Sequence, residues 1–321
     1  MDFEKIKIAS EFIQQGKVVA FPTETVYGLG ANALNPIAVA KIFELKERPA
    51  FDPLIVHIAE KDDIYKYSTI SDSRVTKIIE KFWPGPLTLV LPKKDIIPDI
   101  VTSGLPTVGL RMPRNEIALA LIKQSGCPIA APSANKFGRI SPTTADHVRK
   151  YLPNVDYILD GGKTTVGIES TIITLTEKGF VILRNGFITK EDLEQVVEYD
   201  GSYKIRKNLA PGMMKSHYSP TKPIYILSTE IETIIDKSRA GLISYSGKYD
   251  KDYHKVIKLT EKENLQECAV NLFYAMYSLE ESDVCCIVAE PVPERGIGIA
   301  IMDRLRKAAF TYEQELRTKK L

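Results

Sequence analysis

Residues 46–58 read KERPAFDPLIVHI. Two fixed cations, Lys46 and Arg48, stand at the mouth of a turn that carries Pro49 and Pro53. The turn feeds an apolar run, Leu54-Ile55-Val56, that ends at His57. Upstream, Ile37, Ala40, Ile42, Phe43 and Leu45 mark an amphipathic helix, which places the cations at a helix-to-strand junction. Cations on a rigid junction suit an anionic ligand such as a phosphate. A solvated helix C-terminus, where Lys and Arg favour the negative end of the dipole, explains the same residues.

Working outward, short apolar runs bounded by Gly, Pro, Ser or Asn predict strands near 18–21, 54–58, 87–91, 108–110, 129–131, 157–159, 172–175 and 181–183. Helical spacing predicts helices at 3–15, 36–46, 72–82, 115–125 and 143–151, with Asp72 and Thr143 as N-caps, and a last one at 192–197. Strands mixed with helices at irregular spacing indicate a mixed α/β domain rather than a regular doubly wound sheet. From about residue 201 the texture changes. Residues 201–222, punctuated by Pro211, Gly212 and Pro220, read as an ordered linker. Beyond it, four runs near 224–227, 241–245, 256–259 and 284–289 alternate with helices, the clearest at 261–279, as in a small parallel α/β sandwich. The division expected is therefore 1–200, 201–222 and 223–321, which suits a chain of 321 residues.

Lys and Arg total 43 against 41 for Asp and Glu, a balance that argues against a protein coating nucleic acid electrostatically. The four cysteines (Cys127, Cys268, Cys285 and Cys286) have no zinc-ligand spacing; Cys285 and Cys286 sit in an apolar run and are expected to be buried and reduced. With no signal-peptide core and no apolar stretch long enough to span a membrane, a cytoplasmic location is expected.

Gly28-Leu29-Gly30-Ala31-Asn32-Ala33 matches a dinucleotide-binding pattern, but six residues separate it from the preceding strand, where a Rossmann turn follows directly. Five other polar clusters lie at strand ends: Thr23-Glu24-Thr25, Thr107 to Arg111, Pro132 to Lys136, Glu169-Ser170-Thr171 and Arg184-Asn185-Gly186. Each alone reads equally well as a polar turn or cap. Together they collect cations, hydroxyls and amides, without a Ser-His-Asp set, a paired acid and base, or a metal cluster. Such an inventory suits holding a nucleotide and orienting its phosphates better than covalent catalysis.

These residues also form longer motifs. FPTETVYGLGANA (21–33), LKERPAFDPLIVHI (45–58), WPGPLTLVL (83–91), TVGLRMP (107–113), APSANKFGRISPT (131–143), GIESTII (167–173) and ILRNG (182–186) resemble the YrdC-type threonylcarbamoyl-AMP synthases. PGMMKSHYSP (211–220) and EPVPERGIGIAIMDRLRKAA (290–309) resemble the longer, two-domain branch of that family. The resemblance implies a YrdC-like domain with a twisted sheet and a ligand groove, followed by a Rossmann-like parallel α/β sandwich. It implies a nucleotidyltransferase: L-threonine, bicarbonate and ATP, with Mg²⁺ accompanying ATP, give threonylcarbamoyl-AMP and pyrophosphate. The product then serves a threonylcarbamoyl transferase machinery acting on tRNA beside the anticodon, with no membrane and no stable nucleic-acid complex of its own. An RNA-binding module using the cationic groove and a carbamoyl transferase domain are the alternatives.

Carried over by motif, Lys46, Arg48, Ser133 and Asn135 correspond to the family's catalytic polar core. Arg48, Asp52, Thr107, Ser133, Ser141, Arg184 and Tyr218 fall at ATP contacts, and Thr25, His57, Arg111, Ala131, Ser170 and Thr171 at threonine contacts. Arg111 is expected to pair the amino acid's carboxylate in a fork. Tyr218 of the linker is expected to act as part of a lid. Two residues depart from the family pattern: Asp52 stands where Asn is usual before Pro-Leu, and Asn185 where Pro is usual between Arg and Gly.

Overall fold

The structure, a computed structural model, describes residues 2–204, 210–212 and 214–318. Residues 205–209 and 213 of the expected linker lie outside the described residues. The described chain falls into two compact units: one of residues up to 137, 142–165 and 169–212, the other of 138–141, 166–168 and 214–318.

In the first unit the strands are β1 (Val19–Pro22), β2 (Tyr27–Asn32), β3 (Ile55–His57), β4 (Leu87–Pro92), β5 (Thr107–Arg111), β6 (Ile129–Ala130), β7 (Tyr157–Ile158), β8 (Thr171–Leu175) and β9 (Phe180–Arg184). They form one mixed sheet in the order β7-β1-β2-β6-β3-β5-β4-β8-β9. Three pairings, β1 with β7, β3 with β5 and β4 with β8, are parallel; the others are antiparallel.

Strand alternation sorts the central side chains onto two faces. Val56 pairs Leu110, Leu110 pairs Leu89, and Leu89 pairs Ile173; this row is buried in the main hydrophobic core. Each such side chain contributes about 1.5–3 kcal/mol through burial. Their neighbours in sequence, including His57, Thr88 and Arg111, point to the opposite face. That second face carries two smaller apolar clusters: Val19, Phe21, Ile129 and Ala131 with the helices Phe3–Gln14 and Glu116–Ser125, and Ile55, Val90, Ile172, Val181, Leu183 and Ala210. His57, Thr88 and Arg111 share this second face with those two clusters.

The helices follow the expected periodicity with shifted ends. Phe3–Gln14 and Glu116–Ser125 pack against β1 and β6 through Ile6, Ile13, Leu121 and Ile122. Asn35 caps the helix Pro36–Lys46 by accepting from Ile37 and Ala38, and Glu47 closes it in the left-handed region, φ 54°. The helix Arg74–Phe82 starts two residues past Asp72, whose carboxylate accepts from the Arg74 amide. The cap of Ala145–Tyr151 is Thr144, not Thr143, because it is the Thr144 hydroxyl that accepts from the His147 amide, at 3.3 Å. The helix expected at 192–197 is Lys190–Glu194, entered through a Thr189–Asp192 capping box.

Strand β2 has no counterpart in the sequence expectation, because two glycines and an asparagine lower its propensity. The structure explains the glycine pattern as packing. A Cβ on Gly30 would lie 2.6 Å from both Ile129 Cγ2 and Phe21 Cε1. The pattern therefore serves the close approach of a strand to its covering side chains, not a phosphate turn.

The second unit contains β10 (Ile224–Ile226), β11 (Ala240–Ser244), β12 (Lys255–Lys258) and β13 (Cys286–Ala289), all parallel, in the order β10-β13-β11-β12. The helices Leu265–Glu280 and Ile297–Thr318 belong to this unit. Cys286 is buried as expected but Cys285 is exposed, because the regular strand begins only after it. No described helix is long and apolar enough to cross a membrane.

Candidate active site

The first wall of the site comes from the opening stretch. Lys46, in the last turn of its helix, is buried and turned inward. Its Nζ donates to the carbonyl of Ser133 at 2.6 Å and to that of Asn135. Burial, and after it the neighbouring Arg48 guanidinium, hold the Lys46 ammonium well below the ordinary lysine range. Arg48 Nε donates to the Asp52 carbonyl at 3.0 Å and Nη2 to the Pro53 carbonyl at 2.9 Å. Nη2 also meets the Asp52 carboxylate at 2.9 Å, both side chains being buried. The acid that departs from the family pattern is therefore the charge partner of Arg48. Burial raises its carboxyl above the usual range, against the opposing pull of Arg48.

The second wall is the segment after β6. Ala131 N–H donates to the Ile55 carbonyl, Leu29 N–H to the Pro132 carbonyl and Ala134 N–H to the Tyr27 carbonyl. Ser133 also bridges Gly28. Residues 131–135 are thereby stitched to β2 and β3, with Lys46 clamped onto their carbonyls. Asn135 Nδ2 donates to the Lys136 carbonyl at 2.8 Å.

At the ends of β3 and β5, register places His57 directly beside Arg111. His57 is buried, its ring edge-on to Phe21 with centroids 6.1 Å apart. Burial, and secondarily the Arg111 charge, push its pKa down to about 3. The folded state therefore binds fewer protons than the unfolded chain, where a histidine titrates near 6.5. The resulting stability is present above pH 6.5 and is lost as pH falls toward 3. We expect a loss of about 2 kcal/mol by pH 5 from this group. Urea midpoints at pH 7.5 and pH 5, compared with those of His57→Gln, check this; identical pH dependence in the two proteins would refute it.

Arg111 is held by the Thr23-Glu24-Thr25 turn. Its Nη1 donates to Thr25 Oγ1 at 3.0 Å, and Nη2 lies 2.8 Å from Glu24 Oε1. Thr23 Oγ1 in turn meets Thr25 Oγ1 at 2.8 Å. Glu24, legible in the sequence within one of the five polar clusters but with no role of its own, is thus a buried member of the site. Thr88 is another, since its hydroxyl meets Ser170 Oγ at 2.8 Å; its place inside an apolar strand gives no sequence signal of this.

Arg184 reaches the site through a β-bulge. The register between β8 and β9 slips between Ile172 and Ile173, which pair with Arg184 and Ile182 and leave Leu183 as the extra residue. The slip turns Arg184 onto the polar face. There its Nη2 donates to Ser170 O and Oγ, at 3.0 and 3.1 Å, and Nη1 to the Pro211 carbonyl at 3.3 Å. Gly186 permits this approach, since a Cβ there would lie 2.3 Å from the Thr171 nitrogen. Thr171 Oγ1 donates to the Ile188 carbonyl at 2.6 Å. Between these groups lies a cavity of only about 10 Å³, bounded by Pro53, Ile55, Thr88, Thr107, Gly109 and Pro211.

The first unit thus brings together Thr25, Lys46, Arg48, Asp52, His57, Thr107, Arg111, Ala131, Ser133, Asn135, Ser170 and Arg184 on one side of its sheet and its rim, whereas the Thr171 side chain turns to the opposite, main-core face. Ser141 and Tyr218 belong to the second unit. Tyr218 is fully buried there at φ 63°, with the His217 ring 4.1 Å, the Phe273 ring 5.5 Å and the Arg304 guanidinium 5.5 Å from its ring centre.

This constellation has relatives. The Sua5, YciO and YrdC family model, described as telomere recombination, matches residues 11–186. The chain belongs to this family. A second model, the C-terminal domain of threonylcarbamoyl-AMP synthase, matches residues 188–310, as in the two-domain form. Threonylcarbamoyl-AMP synthase of Pyrococcus abyssi is 45% identical over 95% of this chain and 94% of its own length. The enzyme of the same name from Bacillus subtilis is 43% identical over 95% of this chain and 93% of its own. The crystal structure of P. abyssi Sua5 complexed with L-threonine superposes with a TM-score of 0.87 at 42% identity, covering 97% of this chain and 95% of that one.

Proposed function

We propose that this chain condenses L-threonine, bicarbonate and ATP into threonylcarbamoyl-AMP and pyrophosphate on the polar face of its larger sheet. The single observation that carries the assignment of residues is the presence of two buried cation systems on either side of β3 in the chain, one before its start and one beside its end. Lys46 and Arg48 form one; Arg111, beside His57, forms the other. The first suits a polyphosphate and the second an amino acid, which are the two substrates to be joined.

In the reaction, the threonine amine adds to the carbon of bicarbonate to give a carbamate, with loss of water. A carbamate oxygen then attacks the α-phosphorus of ATP, and the bond to pyrophosphate breaks. No enzyme nucleophile takes part. What this chain contributes is orientation and fixed positive charge around the phosphates. Lys46, Arg48, Ser133 and Asn135 frame the nucleotide, with Asp52, Thr107 and Arg184 at its edge; Thr25, His57, Arg111, Ala131, Ser170 and Thr171 frame the amino acid. Among the described residues no group of three or more His, Cys, Asp or Glu could hold an ion. Mg²⁺ is expected to accompany ATP. The adenylate, a mixed anhydride, is passed to a transferase that modifies tRNA.

The test is pyrophosphate release from ATP by the purified chain. We expect release that requires both threonine and bicarbonate. Release independent of either would remove the synthase reading.

A further inference from the structure

Within that reading, the Thr23-Glu24-Thr25 turn contains a group to which no role is attached. Glu24 is 2% exposed and Arg111 3% exposed, so both are withdrawn from water. Their contact of 2.8 Å is an ion pair by distance, yet Glu24 Oε1 and Oε2 and Arg111 Nη2 have no hydrogen-bond partner. Charge is balanced while hydrogen bonding is left incomplete on both members. Buried polar atoms are ordinarily satisfied, and leaving a carboxylate oxygen or a guanidinium N–H unmatched is costly. A simple neutralising partner for a buried arginine would be expected to form the aligned, bidentate fork that this pair lacks. The remaining capacity consists of acceptors on Glu24 beside a donor on Arg111, which matches the two charged ends of a zwitterion.

We propose that Glu24 is a specificity-determining residue that accepts the α-ammonium of the amino-acid substrate while Arg111 takes its carboxylate. The four charges then alternate in sign. The threonine hydroxyls hold the frame: Thr25 Oγ1 is fixed by Arg111 Nη1 and Thr23 Oγ1, and the Glu24 carbonyl is tied to the Thr165 amide. A carboxylic acid carrying a hydroxyl in place of the amine meets Arg111 equally well but offers nothing positive to Glu24. The site should therefore select amino acids over hydroxy acids before any chemistry begins.

The experiment compares binding of L-threonine with that of the matching 2,3-dihydroxybutyrate, by calorimetry on the full chain, in wild type and Glu24→Gln. Wild type should prefer threonine by at least about a hundredfold, as sites built around a polar group reject analogues lacking it. Glu24→Gln should weaken threonine by about tenfold or more and leave the dihydroxy acid within about threefold. An equal loss for both ligands would mean that Glu24 acts only by holding Arg111, and would overturn the proposal. The wild-type comparison does not depend on the variant folding, and near-equal binding of the two ligands there would overturn it alone. Absence of threonine binding together with absence of threonine-dependent pyrophosphate release would instead bring down the proposed function itself.

Discussion

Lys46→Ala is expected to lower threonine- and bicarbonate-dependent pyrophosphate release roughly 30- to several-thousand-fold, corresponding to about 2–5 kcal/mol of lost transition-state stabilisation. Two effects combine. The residue's ammonium is buried and disfavoured by its surroundings and by Arg48. It therefore gains more from an arriving polyphosphate than a solvated lysine would. Its Nζ also clamps the carbonyls of Ser133 and Asn135, so its removal loosens the segment that faces the nucleotide. Lys46→Arg separates the two: it keeps a charge but cannot place a compact ammonium between two carbonyls, and should recover only a small part of the rate. Steady-state rates at saturating ATP measure this. A rate for Lys46→Ala within threefold of wild type would exclude Lys46 from catalysis.

The second large effect is expected on stability. Removing Asp52 leaves Arg48 buried without its carboxylate, and breaking such a pair from one side costs about 3–5 kcal/mol. Asp52→Ala should shift the urea midpoint accordingly, although Arg48 keeps the carbonyls of Asp52 and Pro53 as acceptors. Asp52→Asn restores the family's usual amide, whose oxygen still accepts from Arg48, and should lose only about 1–3 kcal/mol. If both variants unfold at the wild-type midpoint, the Arg48–Asp52 pair contributes nothing and the substitution of Asn by Asp is neutral in this chain.

Much of this architecture is legible in the residues themselves. The runs ending at His57, at Arg111 and at Ala131 are short, apolar and bounded by turn formers, so strands with polar ends follow from local pattern. Lys46 and Arg48 were visible as cations at a junction, though not as a buried pair of anchors. What stayed hidden depends on contacts between residues far apart in the chain. Strand β2 forms despite Gly28 and Gly30 because β1 and β6 flank it, and packing overrides propensity. Glu24 is legible as part of a polar cluster at a strand end but not as the partner of Arg111, which is 87 positions away, and no local pattern signals such a pair. The aim of Arg184 depends on a one-residue slip in register that composition does not encode. The choice of Thr144 over Thr143 as a cap rests on which hydroxyl meets the His147 amide, a one-residue difference that sequence pattern does not resolve.

The parallel pairing of β4 with β8 has a consequence for biosynthesis. Leu87 pairs with Thr171, so the edge that presents Ser170 and Arg184 cannot close until some 85 further residues have left the ribosome. Long-range parallel contacts of this kind form late, after the entropy of closing the intervening loop has been overcome. A nascent chain ending near residue 160 already carries Lys46, Arg48 and Arg111 but lacks the strands that complete their enclosure. The growing polypeptide is thereby kept from holding its substrates until the last two strands of the larger sheet have joined it.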